Sequence, residues 1–225
     1  MNMDVRNALL PAVAYIPSEV FPPAANRLKR FIDCVLCFLA LPVITLIGLP
    51  IALLIMTDGG GPFFAQTRVG RGGNKFQCLK FRTMVPDAER RLQHILATDA
   101  KARAEWEKDF KLKNDPRVTL IGRFLRKTSL DELPQFLNVL VGEMSIVGPR
   151  PVTRQELNLY GDNAQLYLAC MPGITGLWQV SGRNDVSYAN RVALDVSYVL
   201  TWTPMQDVKI MFRTLPAMLS RRGAY

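Results

Sequence analysis

Hydrophobic positions are spread unevenly along this chain, and their spacing predicts its elements. The densest run is residues 31–57, FIDCVLCFLALPVITLIGLPIALLIMT. It is apolar on all sides, and its length suits a membrane helix, which needs about 20 apolar residues. Three features argue against a straight span. Pro42 and Pro50 each remove a helix hydrogen bond and bend the axis. Asp33 lies near the start of the run. Basic residues flank both ends (Arg27, Lys29 and Arg30 before; Arg68 and Arg71 after), which by the positive-inside rule keeps both ends in the cytoplasm. A helix that breaks at Pro42, dips into one leaflet and returns satisfies all three. A tilted, kinked span with its N-terminus outside is the alternative.

Elsewhere the pattern changes period. Residues 62–69, PFFAQTRV, and 75–84 read as two strands of a hairpin, joined by the glycine-rich Gly70-Arg71-Gly72-Gly73-Asn74. Alternation in the second strand puts Lys80 and Arg82 on one face and Leu79 and Phe81 on the other, and two cations so spaced could hold a diphosphate. Residues 87–113 are charged and helix-prone, with sparse apolar positions such as Leu92, Ile95, Trp106 and Phe110. Helices are expected again over 153–170, over 185–200 with Asp195 and Tyr198 one turn apart, and from Pro204 onward. The last helix places Met205, Val208, Met211, Phe212, Leu215, Met218 and Leu219 among Lys209, Arg213, Arg221 and Arg222, and could lie in a membrane interface or on the core. Residues 172–183 carry three glycines and a proline, the density of a shaped loop whose backbone approaches something closely; Arg183 at its end is a phosphate-ligand candidate. Residues 1–26 hold four prolines and little periodicity, and read as an irregular arm, not a signal peptide.

Candidate chemistry concentrates in residues 117–151. Two adjacent acids, Asp131 and Glu132, lie between Arg117, Arg123, Arg126 and Lys127 on one side and Arg150 on the other. Carboxylates acting on a phosphate need cations to hold it against them. Ser129-Leu130-Asp131-Glu132 also fits a plain capping box ahead of a helix bearing Leu133, Phe136, Leu137 and Leu140, and the two readings are compatible.

Composition narrows the field. With 28 basic and 19 acidic residues in 225, the formal charge is +9, which points to an anionic partner. One histidine, His94, and four cysteines without knuckle spacing make a zinc site improbable, and Cys34 and Cys37 read as small apolar packing residues. The basic residues are not interleaved with stacking aromatics, which disfavours nucleic acid. The glycines form neither G-x-x-x-x-G-K-[ST] nor strand–GxGxxG–helix.

Four segments in order, KFRTM (80–84), DELPQ (131–135), GEMSIVGPRP (142–151) and PGITGLWQVSGR (172–183), together resemble the bacterial sugar transferase family, the monotopic phosphoglycosyl transferases that start cell-surface polysaccharides. The chain resembles most the short, ExoY-like exopolysaccharide initiators. The resemblance implies an α+β, helix-dominated fold: a small mixed α/β catalytic domain with a re-entrant membrane helix and amphipathic interfacial helices. It divides the chain into an arm (1–26), the membrane helix–break–helix (27–57) and a cytoplasmic catalytic domain (58–225). It implies transfer of sugar-1-phosphate from a UDP-sugar to undecaprenyl phosphate at the cytoplasmic face of the bacterial inner membrane, with UMP released and Mg²⁺ required. On that resemblance Asp131 is the nucleophile and Glu132 the magnesium ligand. Lys80, Arg82, Arg126 and Arg150 contact phosphate or nucleotide, and Pro42 marks the membrane break, where Leu41 replaces the family's serine. A second copy of the chain is a further candidate partner. A basic membrane-anchored binding protein and a lipid-phosphate hydrolase are the competing readings.

Overall fold

A computed structural model describes residues 26–109, 112, 114–182 and 187–219. Expectations placed on residues 1–25, Phe110, Arg183, Arg221 and Arg222 fall outside the described residues, as do the side chains of Met218 and Leu219.

The apolar run forms helix α1, Arg27–Met56, with Pro42 and Pro50 inside it. The expected break at Pro42 is thus a proline within one continuous helix, not a non-helical segment. The hairpin comes next as β1, Phe63–Val69, and β2, Lys75–Phe81, joined through a 3₁₀ turn at Arg71–Gly73. Gly72 and Gly73 take positive φ there (66° and 85°), the region that favours glycine. Strand β2 ends at Phe81, and Arg82 just beyond it still donates its backbone N–H to the Pro62 carbonyl at 2.8 Å.

The charged segment is two helices, not one: α2, Ala88–Thr98, and α3, Ala100–Asp109. Asp99 separates them, and its carboxylate accepts from the backbone N–H groups of Lys101 and Ala102, capping α3. Then come α4 (Leu120–Thr128), α5 (Gln135–Val141), β3 (Ser145–Val147), α6 (Arg154–Asn158), α7 (Ala164–Leu168), β4 (Gly173–Thr175), α8 (Tyr188–Leu200) and α9 (Pro204–Leu219). Strands β3 and β4 pair in parallel, Ser145 opposite Gly173 and Val147 opposite Thr175.

These elements fall into two compact units, and both α1 and the hairpin are divided between them. The described part of unit 1 belongs to Met1–Leu41, Ala65–Leu79 and Gln135–Gly223. Its core gathers Cys37, Phe76, Cys78, Val139, Met144, Val147, Leu166, Tyr198 and Ile210. The first turns of α1 are tied into this unit by charge. Lys29 Nζ lies 2.5 Å from Asp207 Oδ2, Asp33 accepts from Ser145 Oγ at 2.7 Å and from the Ile146 N–H at 3.2 Å, and the Arg30 guanidinium donates to the Val139 and Leu140 carbonyls at the end of α5. Asp195 and Tyr198 do not pair with each other: Asp195 accepts from the Tyr160 hydroxyl, and Tyr198 donates to Asp207 and to the Val147 carbonyl.

The glycine-rich loop has a backbone neighbour, the backbone of the GPRP segment. A Cβ on Gly173 would lie 2.1 Å from Gly148 N, one on Gly148 2.5 Å from Met171 O, and one on Gly176 2.3 Å from Gly148 O. Main chain meets main chain at three places, and any side chain would separate them.

The described part of unit 2 belongs to Pro42–Phe64 and Lys80–Pro134. Its core is Ile51 and Ile55 from the second half of α1 with Phe81 and Leu125, and Ile121, Leu130 and Leu133 pack against it.

Between its anchored ends α1 presents large apolar side chains outward, among them Phe38, Leu39, Val43, Leu46, Leu49 and Leu53, with Leu46 76% exposed. Only 11% of its most apolar window is buried within the protein, against the mostly buried core helix of a soluble domain. Apolar surface this continuous marks a membrane contact. The amphipathic reading of α9 fits in part: Met205, Phe212 and Leu215 face outward, while Ile210 packs into the core of unit 1.

Candidate active site

The site in unit 2 is built on α4 and the turn that ends it. Thr119 caps α4, its hydroxyl accepting from the Gly122 N–H at 2.9 Å. Gly122 is required by space: a Cβ there would sit 2.0 Å from the Thr83 carbonyl oxygen. Helix α4 therefore lies directly on the KFRTM segment, and Arg126 Nε donates to Thr83 Oγ1 at 2.9 Å.

Helix α4 stops at Ser129, the one non-glycine with positive φ (56°) among the described residues. Left-handed backbone costs an ordinary residue about 1–2 kcal/mol. Ser129 is thus the C-cap of α4 and makes no side-chain cap to the next turn, so the expected capping box at Ser129–Glu132 is absent. The chain continues directly into a 3₁₀ turn, Leu130–Glu132. In that geometry residues i and i+3 eclipse. Leu130 and Leu133 share one direction and pack on the Ile51–Ile55–Phe81–Leu125 cluster, which turns Asp131 and Glu132 away from it at separate angles.

Lys80, at the end of β2, meets both acids: its Nζ is 2.7 Å from Glu132 Oε1 and 3.7 Å from Asp131 Oδ2. Asp131 is 8% exposed. Burial pushes its carboxyl above the ordinary range; Lys80 and Arg126 pull it back and Glu132 pushes it further up. Burial lowers Arg126, against the pull of Asp131 and Asp115. Asp115 in turn holds Arg117 through Nε and Nη2 (2.9 and 2.7 Å), and Arg117 rests over the Trp106 ring at 5.3 Å. Burial alone would raise Asp115, but Arg117 and backbone donation keep it below the ordinary carboxylate range.

Arg82 and Arg150, also singled out by the sequence, have partners of their own. Arg82 spends its donors on the Asp58 carboxylate (2.5 and 2.8 Å) and on the Gly61, Met84 and Ile55 carbonyls, strapping the end of α1. Arg150 lies in unit 1 over the Trp178 ring. Arg183 falls outside the described residues. Sequence reasoning did not find Thr83 or Gly122 as parts of the site. Thr83 lies within the KFRTM motif, and Gly122 sits among the basic residues preceding the acids.

Two carboxylates converging on one ammonium make a cation site by construction. Among the described residues no three of His, Cys, Asp and Glu gather to cage a metal. Mg²⁺ does not need such a cage: it is commonly held by one or two carboxylates together with substrate phosphates and water. The Asp131–Glu132 donor set fits that requirement.

The chain belongs to the bacterial sugar transferase family, whose profile matches residues 24–221 and so takes in every element of this site. It is 54% identical over 205 residues to the UDP-galactose-lipid carrier transferase of Erwinia amylovora, covering 90% of this chain and 42% of that protein. It is 52% identical over 210 residues to the undecaprenyl-phosphate galactose phosphotransferase of Salmonella typhimurium, covering 93% of this chain and 44% of that protein. The exopolysaccharide production protein ExoY of Rhizobium meliloti is 48% identical over 232 residues, the whole of both chains. This chain therefore spans under half the length of the first two relatives and the full length of the third.

Proposed function

We propose that this protein transfers sugar-1-phosphate from a UDP-sugar to undecaprenyl phosphate, the first membrane step of exopolysaccharide synthesis. The relatives' names support the reaction class. The observation that carries the residue assignment is the buried Asp131 carboxylate on a 3₁₀ turn with Lys80 and Arg126 around it. A carboxylate is a poor nucleophile toward a diphosphate unless charge is neutralised. Lys80 and Arg126 supply cations at that position, and burial raises the energy of the anion that must react.

On this reading an Asp131 oxygen attacks the sugar-bearing phosphorus of the donor. The bond from that phosphorus to the bridging oxygen breaks, and UMP leaves with the electron pair. An oxygen of the lipid phosphate then attacks the phosphorus of the aspartyl phosphosugar, regenerating the carboxylate and forming the lipid diphosphate. Glu132, with Asp131 beside it, would hold Mg²⁺, which neutralises phosphate charge when bound. Lys80 keeps Glu132 oriented through its 2.7 Å contact.

The exposed apolar flank of α1, with basic groups before and after it, supports a helix that enters the inner membrane from the cytoplasmic face and leaves by the same face. Cysteines placed at positions 5 and 60 should both be labelled from the cytoplasmic side. An N-terminus labelled from outside intact cells sinks the re-entrant topology.

The deciding assay gives membranes a labelled UDP-sugar and undecaprenyl phosphate and reads UMP and lipid product. Turnover surviving in Asp131→Asn excludes the nucleophile assignment. Sugar phosphate released without lipid product points instead to hydrolysis.

A further inference from the structure

Two cations act on Asp131, and they differ in what their donors do. Lys80 is engaged by Glu132 at 2.7 Å. Arg126, in the last turn of α4, feels Asp131 and Asp115 through charge. Asp115 is taken: both its carboxylate oxygens accept from the Arg117 side chain, and Oδ1 accepts from the Arg117 N–H as well. Among the described residues Arg126 makes one hydrogen bond, from Nε to the Thr83 hydroxyl at 2.9 Å. Its Nη1 and Nη2 remain as an end-on pair of donors on a half-buried guanidinium, and such a pair matches two oxygens of a phosphate.

The hydroxyl that grips Nε is itself fixed. Thr83 is 8% exposed. Its carbonyl accepts from the Thr119 N–H at 3.1 Å, Met84 pairs with Val118 in an antiparallel bridge, and the Val85 N–H donates to the Arg117 carbonyl at 2.9 Å. Gly122 and Arg126 lie four apart and so share a face of α4. The Thr83 carbonyl fills the space that a Gly122 side chain would take. Branching at Cβ restricts the χ1 of threonine, so Nε meets an acceptor that does not swing away. All of these residues belong to unit 2.

We propose that Thr83 is a positioning residue of the transfer site: by holding Arg126 through Nε, its hydroxyl aims Nη1 and Nη2 at the phosphoryl oxygens of a substrate beside Asp131. The family resemblance implies a phosphate contact for Arg126; the role of Thr83 is new. The inference rests on the transferase reading and deepens it. The phosphoryl group belongs either to the donor's diphosphate or to the lipid's monophosphate, and the test tells them apart.

The full chain in nanodiscs is titrated calorimetrically with inorganic pyrophosphate in EDTA, so that protein cations alone read the anion. Initial rates are then measured with Mg²⁺ while varying UDP-galactose and undecaprenyl phosphate separately. Thr83→Val nearly keeps the volume and removes the hydroxyl. It should weaken pyrophosphate and raise the KM of one substrate by about tenfold, the scale of one hydrogen bond to a charged group, with a smaller change in kcat. The substrate that moves is the phosphoryl source. Thr83→Ser and Thr83→Ala lose the same methyl and differ by one hydroxyl, so this pair reads the hydroxyl alone even where Thr83→Val does not fold. The serine variant should recover most of the affinity, and the alanine variant should not. In an Arg126→Gln background Thr83→Val should add less than about twofold, since the group it aims is gone.

A wild-type chain that binds no pyrophosphate overturns the proposal. So does a hydroxyl-free variant with pyrophosphate affinity and both KM values within about twofold of wild type, a change far below one charged hydrogen bond. Losses from Thr83→Val and Arg126→Gln that simply multiply also overturn it, because a residue of merely structural value does not depend on Arg126. Wild-type protein that binds pyrophosphate through Thr83 and Arg126 yet transfers no sugar phosphate would retire the transferase reading and leave the anion clamp standing.

Discussion

In unit 1, buried acids and amides tie distant elements together, with one carboxylate oxygen, Asp195 Oδ1, left without a hydrogen-bond partner. Asp207 accepts from Lys29 and Tyr198, Asp33 from Ser145 and Ile146, and Asn138 bonds through both ends of its amide to Leu79, Gln77 and Glu143. In unit 2, Asp131 is about as buried, but its nearest cation stands at 3.7 Å, beyond hydrogen-bond length, and that lysine is shared with a second acid. The turn carrying Asp131 begins at a left-handed serine. Both units bury carboxylates, but Asp33 and Asp207 in unit 1 are fasteners between distant segments, whereas Asp131 in unit 2 shares its close cation, Lys80, with a second acid. Backbone strain of this kind is expected where chemistry is done.

The contrast can be broken most sharply at Asp131. Asp131→Asn should lower turnover by at least about 10³-fold, the scale of losing a nucleophile. It should also raise the melting temperature. A carboxyl whose folded pKa lies above its unfolded one makes the protein less stable as pH rises between the two values, and the loss persists above them. A variant that is both inactive and less stable would place Asp131 among the fasteners.

Lys80→Met comes next, with an expected loss of about 10²-fold, that of one electrostatic contact in a reacting site. Lys80 lowers the Asp131 pKa, so its removal should move the acid limb of the pH–rate profile upward. A limb that stays put or moves down contradicts the assignment. Gly122→Ala should destabilise the protein by roughly 3 kcal/mol, the upper range for overpacking, because the clash is with backbone. Ser145→Ala should cost about 1–3 kcal/mol by leaving Asp33 short of a donor, with kcat preserved in the folded fraction. The smallest effect is on a slope. Asp195, ordinarily near 3.8, is pushed up to about 7 by burial, so it weakens the fold as pH rises across that window. Asp195→Asn should flatten that part of the stability–pH curve, as read by denaturant melts.

Local patterns are legible in the residues themselves. The apolar run, the hairpin and the last helix carry their periodicity in plain view. The acid pair is visible as well, but not its setting. Ser129 reads as a cap because serine and glutamate stand three apart, yet the preceding helix runs up to it and uses it as a stop. Nothing local announces that Leu130 and Leu133 will both face a core supplied by α1 and β2. The same holds for Lys29–Asp207 and Asp33–Ser145, separated by 178 and 112 residues. Arg82 shows another limit of spacing: its place two residues after Lys80 is visible, but not that its fork is held by Asp58, just past the end of α1.

The interlock of Gly148, Gly173 and Gly176 bears on how this molecule can diversify. Since no side chain can be inserted at any of the three, novelty there must enter through neighbouring positions such as Arg150, Ile174 or Leu177. A chimera that imports one of these two segments without the other would have to reproduce a backbone path to within a fraction of an ångström. The pair is better treated as a single exchangeable cassette when parts are swapped between related proteins.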